Sequence, residues 1–394
     1  MTRDPWLVSR RRESRATDDE TRIMTERRKT RTVSIGNVKI GSGHPVSVQS
    51  MVKADAADPA AIIDQINQLE KAGCEIARVA VKDMDSARMI SDIKKETSIP
   101  LVADIHFDHK LAVEAALRGA DKIRINPGNI SSPDEINKVI DAASSKNIPV
   151  RIGVNSGSLA PDAVGGRSVV ARMIASVLKY MEYFEKRKFR DLVISVKSAE
   201  VPAAVNAYRG IARECDHPLH IGITAAGLAA EGIVRSSVGI GALLMEGIGD
   251  TIRVSLTGDP LEEVKTARNI LSAAGVRDFG PRIISCPTCG RCRVDLVSMV
   301  EKLDRELKLL TSHYSLFTDS RLRIAIMGCE VNGPGEAKNA DIGIAFGGGK
   351  GAIFRRGRVV KTVSEGSAID ELLGIIKEMT NDKAQMTKDR LRLG

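Results

Sequence analysis

From residue 46 the chain alternates short β-branched runs with longer stretches whose apolar positions recur every three or four residues. The runs Val46–Gln49, Ile76–Val81, Leu101–Ile105, Lys122–Ile125, Val150–Val154, Leu192–Val196, Leu219–Ile223 and Thr251–Val254 are predicted as strands. Stretches such as Pro59–Ala72 and Met84–Thr97 are predicted as helices. The first has Asp58 as its cap, Pro59 in its first turn and Gly73 as its stop. Strands alternating with helices imply a parallel sheet, and eight such units over about 230 residues match the size of a TIM barrel. A doubly wound sheet is the alternative, but no glycine fingerprint follows the first strand. After Gly280 the pattern changes to strands at Arg323–Met327, Asp341–Ala345 and Arg358–Val363, with helices near Val294–Ser312 and Ala368–Met379. The expected fold class is α/β, a TIM (β/α)8 barrel over residues 31–278 followed by a small α/β domain over 279–382. Residues 1–30 read as a disordered basic tail, with Met24 as an alternative start, and 383–394 as a C-terminal tail.

With 394 residues, 43% of them hydrophobic, the chain can bury a core without disulfides. Its formal charge is +9, and residues 1–31 hold ten Lys or Arg against six Asp or Glu. Aromatics at 3% argue against a single-strand nucleic-acid binder that stacks bases. No run approaches the roughly 20 apolar residues of a membrane span, and the acidic Asp18-Asp19-Glu20 disfavours a targeting peptide. Cytoplasmic residence is the expectation, and there cysteines point to metal or redox chemistry before disulfides.

The predicted strand ends are basic and polar: Arg78, Arg124 with Asn126, Arg151 with Asn155, Lys197, Thr224, and Arg253 with Ser255. Any one of these cations could simply pair with a neighbouring acid. Five together are harder to balance, because Asp104 and Asp259 are the obvious acids there and a desolvated ion costs on the order of several kcal/mol unpaired. Barrel enzymes carry their sites at this end, so an anionic ligand, a phosphate or diphosphate, is expected. His106 is either a proton donor or a structural histidine bonded to Asp104. Pro127-Gly128-Asn129 is a turn and not a nucleotide-binding loop.

Cys286, Cys289 and Cys292 form a C-x2-C-x2-C run, and Cys329 follows the predicted strand Arg323–Met327. Zinc is a competitor for such a set, but the triple run is more typical of iron–sulfur ligation. Spacing alone selects those four cysteines. Alternatively, the turn Gly333-Pro334-Gly335 brings Glu336 back toward Cys329, and a more exchangeable carboxylate leaves one iron open to substrate. Cys74 and Cys215 read as packing residues.

The segments Ser47–Met51, Ala103–Asp108, Arg124–Asn129, Arg151–Asn155, Glu246–Thr251, Cys286–Arg291 and Gly328–Glu336 resemble, in order, the signatures of the bacterial 4-hydroxy-3-methylbut-2-enyl-diphosphate synthases. The resemblance implies a 4Fe-4S cluster on Cys286, Cys289, Cys329 and Glu336, with Cys292 a non-ligand. It implies reductive opening of 2-C-methyl-D-erythritol 2,4-cyclodiphosphate, held by Arg78, Arg124, Arg151, Lys197 and Arg253. Asn126, Asn155, Thr224 and Ser255 match positions lining that pocket, and Glu336, Asn126 and His106 are the catalytic candidates. It further implies ferredoxin or flavodoxin as electron donor and a head-to-tail homodimer, with neither nucleic acid nor membrane as partner. Three departures stand out. Ala225 replaces a usual Glu, Val52–Ala56 lacks the usual threonines and asparagine, and Gly157–Arg167 is short. Ala225 favours, as a second reading, a paralogue acting on another phosphorylated molecule. A metal-dependent nucleic-acid binder is a third, suggested by the basic tail and pI ≈ 9.2.

Overall fold

The computed structural model describes residues 26–130, 132–159, 166–313, 322–330, 335 and 340–379. It divides into two compact units between Arg277 and Asp278.

The first unit opens with a hairpin, β1 (Val33–Ile35) and β2 (Val38–Ile40), that the sequence reading does not anticipate. Gly36, at φ 54°, makes its turn. Val33, Ile35 and Ile40 pack with Ile76, Val102 and Val193, which lie near the starts of barrel strands, so the hairpin is an apolar floor closing the barrel's N-terminal end. Residues 27–30 belong to this unit too, so the expected tail boundary at 30 is corrected. Arg27 pairs with Asp250 at 2.7 Å, Arg28 donates to the carbonyls of Cys215 and His217, and Thr30 bonds Asp250 at 2.9 Å.

Eight parallel strands follow: β3 (Ser47–Met51), β4 (Ile76–Val81), β5 (Leu101–Ile105), β6 (Lys122–Ile125), β7 (Val150–Asn155), β8 (Leu192–Lys197), β9 (His220–Ile221) and β10 (Thr251–Ile252). Their order is β8-β7-β6-β5-β4-β3-β10-β9, and a bridge between Ile194 and Leu219 closes the ring. The TIM barrel expected from the alternation is therefore present. Helices α1 (Pro59–Lys71), α2 (Met84–Lys95), α3 (His109–Leu117), α4 (Pro133–Lys146), α5 (Val169–Lys186), α6 (Val201–Glu214), α7 (Ala229–Met245) and α8 (Pro260–Ala273) alternate with the strands. Asp58 caps α1 by accepting from Ala61, as its sequence requires. β9 is shorter than expected because Gly222 leaves the ladder; an added Cβ there would collide with the Arg253 carbonyl and the Lys197 ammonium.

The second unit is a five-stranded sheet, β11 (Arg282–Ser285), β12 (Arg323–Met327), β13 (Ile342–Gly347), β14 (Lys350–Arg355) and β15 (Arg358–Ser364). The first three run parallel and the last two return antiparallel. β11 and β14 were not expected. Leu303 and Leu307 of α9 (Leu296–His313), with Leu372 and Ile376 of the helical residues 368–379, pack against Ile324, Ile326 and Ile344 on one face. Ala325, Met327, Ala345 and Phe354 form a smaller core on the other.

Candidate active site

Alternate residues of a strand share a face, and in this barrel the inward face is charged. Asp104, Arg124 and Arg151 stand in lateral register on β5, β6 and β7. Arg124 donates to Asp104 at 2.9 Å, and Arg78 from β4 lies 3.7 Å from its other oxygen. Arg151, 2% exposed, donates to Gln49 on β3 at 3.3 Å. Lys197 at the end of β8 is 3.4 Å from His220 Nε2 on β9. Arg253, just past β10, donates to Ser255 and to the Glu263 carboxylate at 3.2 Å. Gly153 makes room for this packing, since a Cβ there would stand 2.9 Å from Arg124 Nε.

The five cations expected at the mouth are thus brought together, and all are buried or nearly so. Two corrections concern the acids. Asp259 caps α8 from an exposed position, accepting from Leu261 at 2.9 Å, and does not face the cations. The second acid is instead Glu263 on α8, 1% exposed, which also binds Lys53 at 2.9 Å, Ser50 at 3.2 Å and the Leu256 amide at 2.9 Å. A sixth buried cation, Lys122, lies two residues before Arg124 on the same face of β6. Strand parity gives its position, although the sequence reading passes over it.

Six cations therefore share the interior with two carboxylates, each already engaged. The side-chain Nε atoms of Arg78, Arg124, Arg151 and Arg253 and the Nζ of Lys122 have no hydrogen-bond partner. Burial, joined by mutual repulsion, pulls Arg78 down to about 10 and pushes Arg151, Lys197 and Lys122 well below their usual values. Asp104 is lowered too, which for an acid favours the charged form. Burial raises it, but Arg78 and Arg124 outweigh burial and hold it at about 2. This interior is built for a polyanion, with guanidinium Nε–H groups left without a partner.

The remaining candidates line the rim. Asn126 is 4% exposed and is tied into its turn, donating to Ser158 at 3.0 Å and accepting from Gly128 at 3.1 Å. Asn155 ends β7, and Thr224 is half-buried with its amide on the Ser198 carbonyl at 3.2 Å. His106 is half-exposed at the mouth, and Asp104 is taken up by Arg124 and Arg78 rather than by it. Ala225 is exposed beside Thr224, in a left-handed conformation at φ 50°.

In the second unit the ends of β11 and β12 bring Cys286 together with Gly328-Cys329, and the Gly328 amide donates to Cys286 Sγ at 3.3 Å. Such a bond stabilises a thiolate. Cys289 is exposed, its thiol held below the ordinary value by the Arg291 amide. Cys292 turns inward instead. Its thiol donates to the Val294 carbonyl at 3.3 Å and fills the space a Cβ on Gly328 would need. Cys74 is buried, which pushes its thiol up to about 12, and Cys215 is raised by burial as well. Glu336 lies outside the described residues. Among the described residues no three Cys, His, Asp or Glu side chains are gathered as a metal site. Thiolates on adjacent strand ends, with Cys292 withdrawn, nevertheless suit a soft metal cluster.

The GcpE TIM-barrel domain matches residues 30–268 and the GcpE protein C-terminal domain matches 282–378. The chain belongs to the GcpE family. Full-length GcpE relatives include three named 4-hydroxy-3-methylbut-2-en-1-yl diphosphate synthase (flavodoxin). That of Caldanaerobacter subterraneus is 48% identical over 91% of this chain and 99% of its own. That of Thermodesulfovibrio yellowstonii is 48% identical over 90% of this chain and 100% of its own. That of Fusobacterium nucleatum is 46% identical over 90% and 99%. Among the described residues of this GcpE member no helix is long and apolar enough to cross a membrane.

Proposed function

We propose that this GcpE member opens and dehydrates 2-C-methyl-D-erythritol 2,4-cyclodiphosphate to 4-hydroxy-3-methylbut-2-enyl diphosphate. The observation that carries this reading is the surplus of buried cations over carboxylates in the barrel. Arg78, Arg124, Arg151, Lys197 and Arg253 bind the diphosphate, and Asn126, Asn155, Thr224 and Ser255 complete the rim around the carbon skeleton. In the balanced reaction two electrons and, at neutral pH, one proton enter. The ring C–O bond to phosphate breaks, a hydroxyl leaves as water, and the product carries one more negative charge than the substrate. The buried guanidiniums, whose Nε–H groups lack partners, therefore favour the state in which charge is developing, which lowers the barrier and not only the Michaelis constant.

Cys286, Cys289, Cys329 and Glu336 would hold a 4Fe-4S cluster, which would supply single electrons and Lewis acidity. The Gly328 amide steadies Cys286, and Cys292 stays in the domain core. In this reading His106 handles the proton and Asn126 orients the reacting carbons. Flavodoxin, printed in the relatives' names, is the electron donor. The working unit is a head-to-tail homodimer in which one protomer's barrel serves its partner's cluster.

Electron paramagnetic resonance of the loaded, reduced protein tests this reading. Adding the cyclic diphosphate is expected to change the cluster signal in wild type and not in Arg151→Met. A wild-type signal indifferent to the compound would contradict it.

A further inference from the structure

Lys122 is the deepest cation of the barrel and the one least accounted for. It is 0% exposed, and no protein group lies within hydrogen-bonding reach of its Nζ. The charged and polar groups around it come from β3 through β9 and from α8. Arg78 on β4, Arg151 on β7 and His220 on β9 act on it directly, and Arg124 follows it on β6. Lys197 ends β8 against His220, and Gln49 on β3 accepts from Arg151. Neither carboxylate is available to it. Asp104 on β5 is held by Arg124 and Arg78, and Glu263 on α8 by Arg253 and Lys53. Val102, the register partner of Lys122 on β5, belongs to the apolar floor with Ile35, Ile76 and Val193.

An ammonium so placed has neither solvent nor counter-ion, and a buried lysine avoids that cost by giving up its proton. We infer that Lys122 is a neutral amine in the empty barrel and takes up a proton when the diphosphate enters, so that substrate binding is proton-linked through this residue. The inference rests on the proposed diphosphate site and adds to it a residue that contributes charge from beneath the contact layer. Burial first, and then Arg151 and Arg78, shift its acid constant in the direction this requires. Two negative charges entering above it reverse the local field, and the amine gains its proton from solvent. By linkage, affinity is greatest at low pH and falls by up to tenfold per pH unit between the acid constants of the empty and filled states.

The test is calorimetric titration of the full-length, cluster-loaded protein with the cyclic diphosphate, without reductant, in buffers of low and high ionisation enthalpy such as PIPES and Tris. Both phosphates of this ligand are strong acids without a proton to exchange near neutrality, so any uptake belongs to the protein. The expected result is a buffer-dependent heat corresponding to about one proton taken up per ligand, lost in Lys122→Met with binding weakened but retained. Should Lys122→Met fail to fold, Lys122→Arg keeps a permanent charge and is expected to bind without uptake, its affinity flat where wild type falls with pH. Saturable heat independent of buffer, or uptake undiminished in both variants, overturns the inference while leaving the diphosphate site standing. No saturable heat at all overturns the site itself.

Discussion

The Asp104 carboxylate accepts from Arg124 at 2.9 Å while Arg78 lies 3.7 Å away, so one buried acid serves two cations. Asp104→Asn removes the charge that holds the empty barrel together, and breaking a buried pair costs about 3 kcal/mol. The empty variant is expected to melt below wild type, and the cyclic diphosphate is expected to raise its melting temperature by more than it raises wild type's. Thermal unfolding with and without ligand checks both; equal ligand shifts would mean that Asp104 and the diphosphate do not share their cations.

Arg151 should show opposite effects on stability and activity. It is buried among cations, with the Gln49 amide oxygen as its hydrogen-bond acceptor and Asp104 as the acid acting on it. Arg151→Met is predicted to stabilise the empty protein against urea while lowering kcat/KM by roughly a hundredfold, about 3 kcal/mol of lost charge-assisted binding. Loss of both stability and activity would assign Arg151 to the fold.

Acid sensitivity follows from two groups. Burial, helped by Arg31, lowers His217 to about 4, so the folded protein keeps this ring neutral while the unfolded chain protonates it near the ordinary 6.5. Its contribution is fully present above 6.5 and is lost as pH falls toward 4. Asp104, held at about 2 against an ordinary 3.8, adds stability that is present above 3.8 and lost as pH falls toward 2. Urea unfolding between pH 7 and 4 should show stability declining with pH, and His217→Gln should flatten that slope.

Cys292 and Cys289 are predicted to differ. Cys292→Ser should keep its iron and lose only about 1 kcal/mol of stability from altered packing, whereas Cys289→Ser and Glu336→Ala should lose iron. Iron and sulfide assays after reconstitution decide; full iron in Glu336→Ala with depletion in Cys292→Ser would move the fourth ligand to Cys292.

How much of this was legible beforehand depends on where each signal lies. Strands β4, β5, β6 and β12 match their expected bounds because each is a short apolar run cut off by Gly, Pro or charge. The hairpin Val33–Ile40 was missed because two three-residue strands around Gly36-Asn37 are too short to show a period. The cations were legible because they interrupt or follow apolar strand runs, although only Lys197 ends its strand. Glu263 was not, since it reaches the site from a helix, and Asp259 looked like the acid only because it stands nearer in sequence. Lys122 was readable by parity with Arg124, but its lack of any partner is a fact of packing. The resemblance implies that Cys292 is a non-ligand; that its thiol turns to the Val294 carbonyl, in space left by Gly328, is a fact of the fold alone.

Ala225 bears on rate. It is exposed at the mouth beside Thr224, at the position where the resemblance implies a Glu. Ala225→Glu is expected to raise turnover about tenfold or more if a carboxylate there handles protons; an unchanged rate would show that the mouth works without one.

The most direct measurement is anaerobic turnover of 2-C-methyl-D-erythritol 2,4-cyclodiphosphate by the reconstituted protein with an artificial reductant, read by mass spectrometry. The account predicts linear 4-hydroxy-3-methylbut-2-enyl diphosphate, abolished in Cys329→Ser and strongly reduced in Arg151→Met. An intact cluster with bound but unconverted cyclic diphosphate would contradict it.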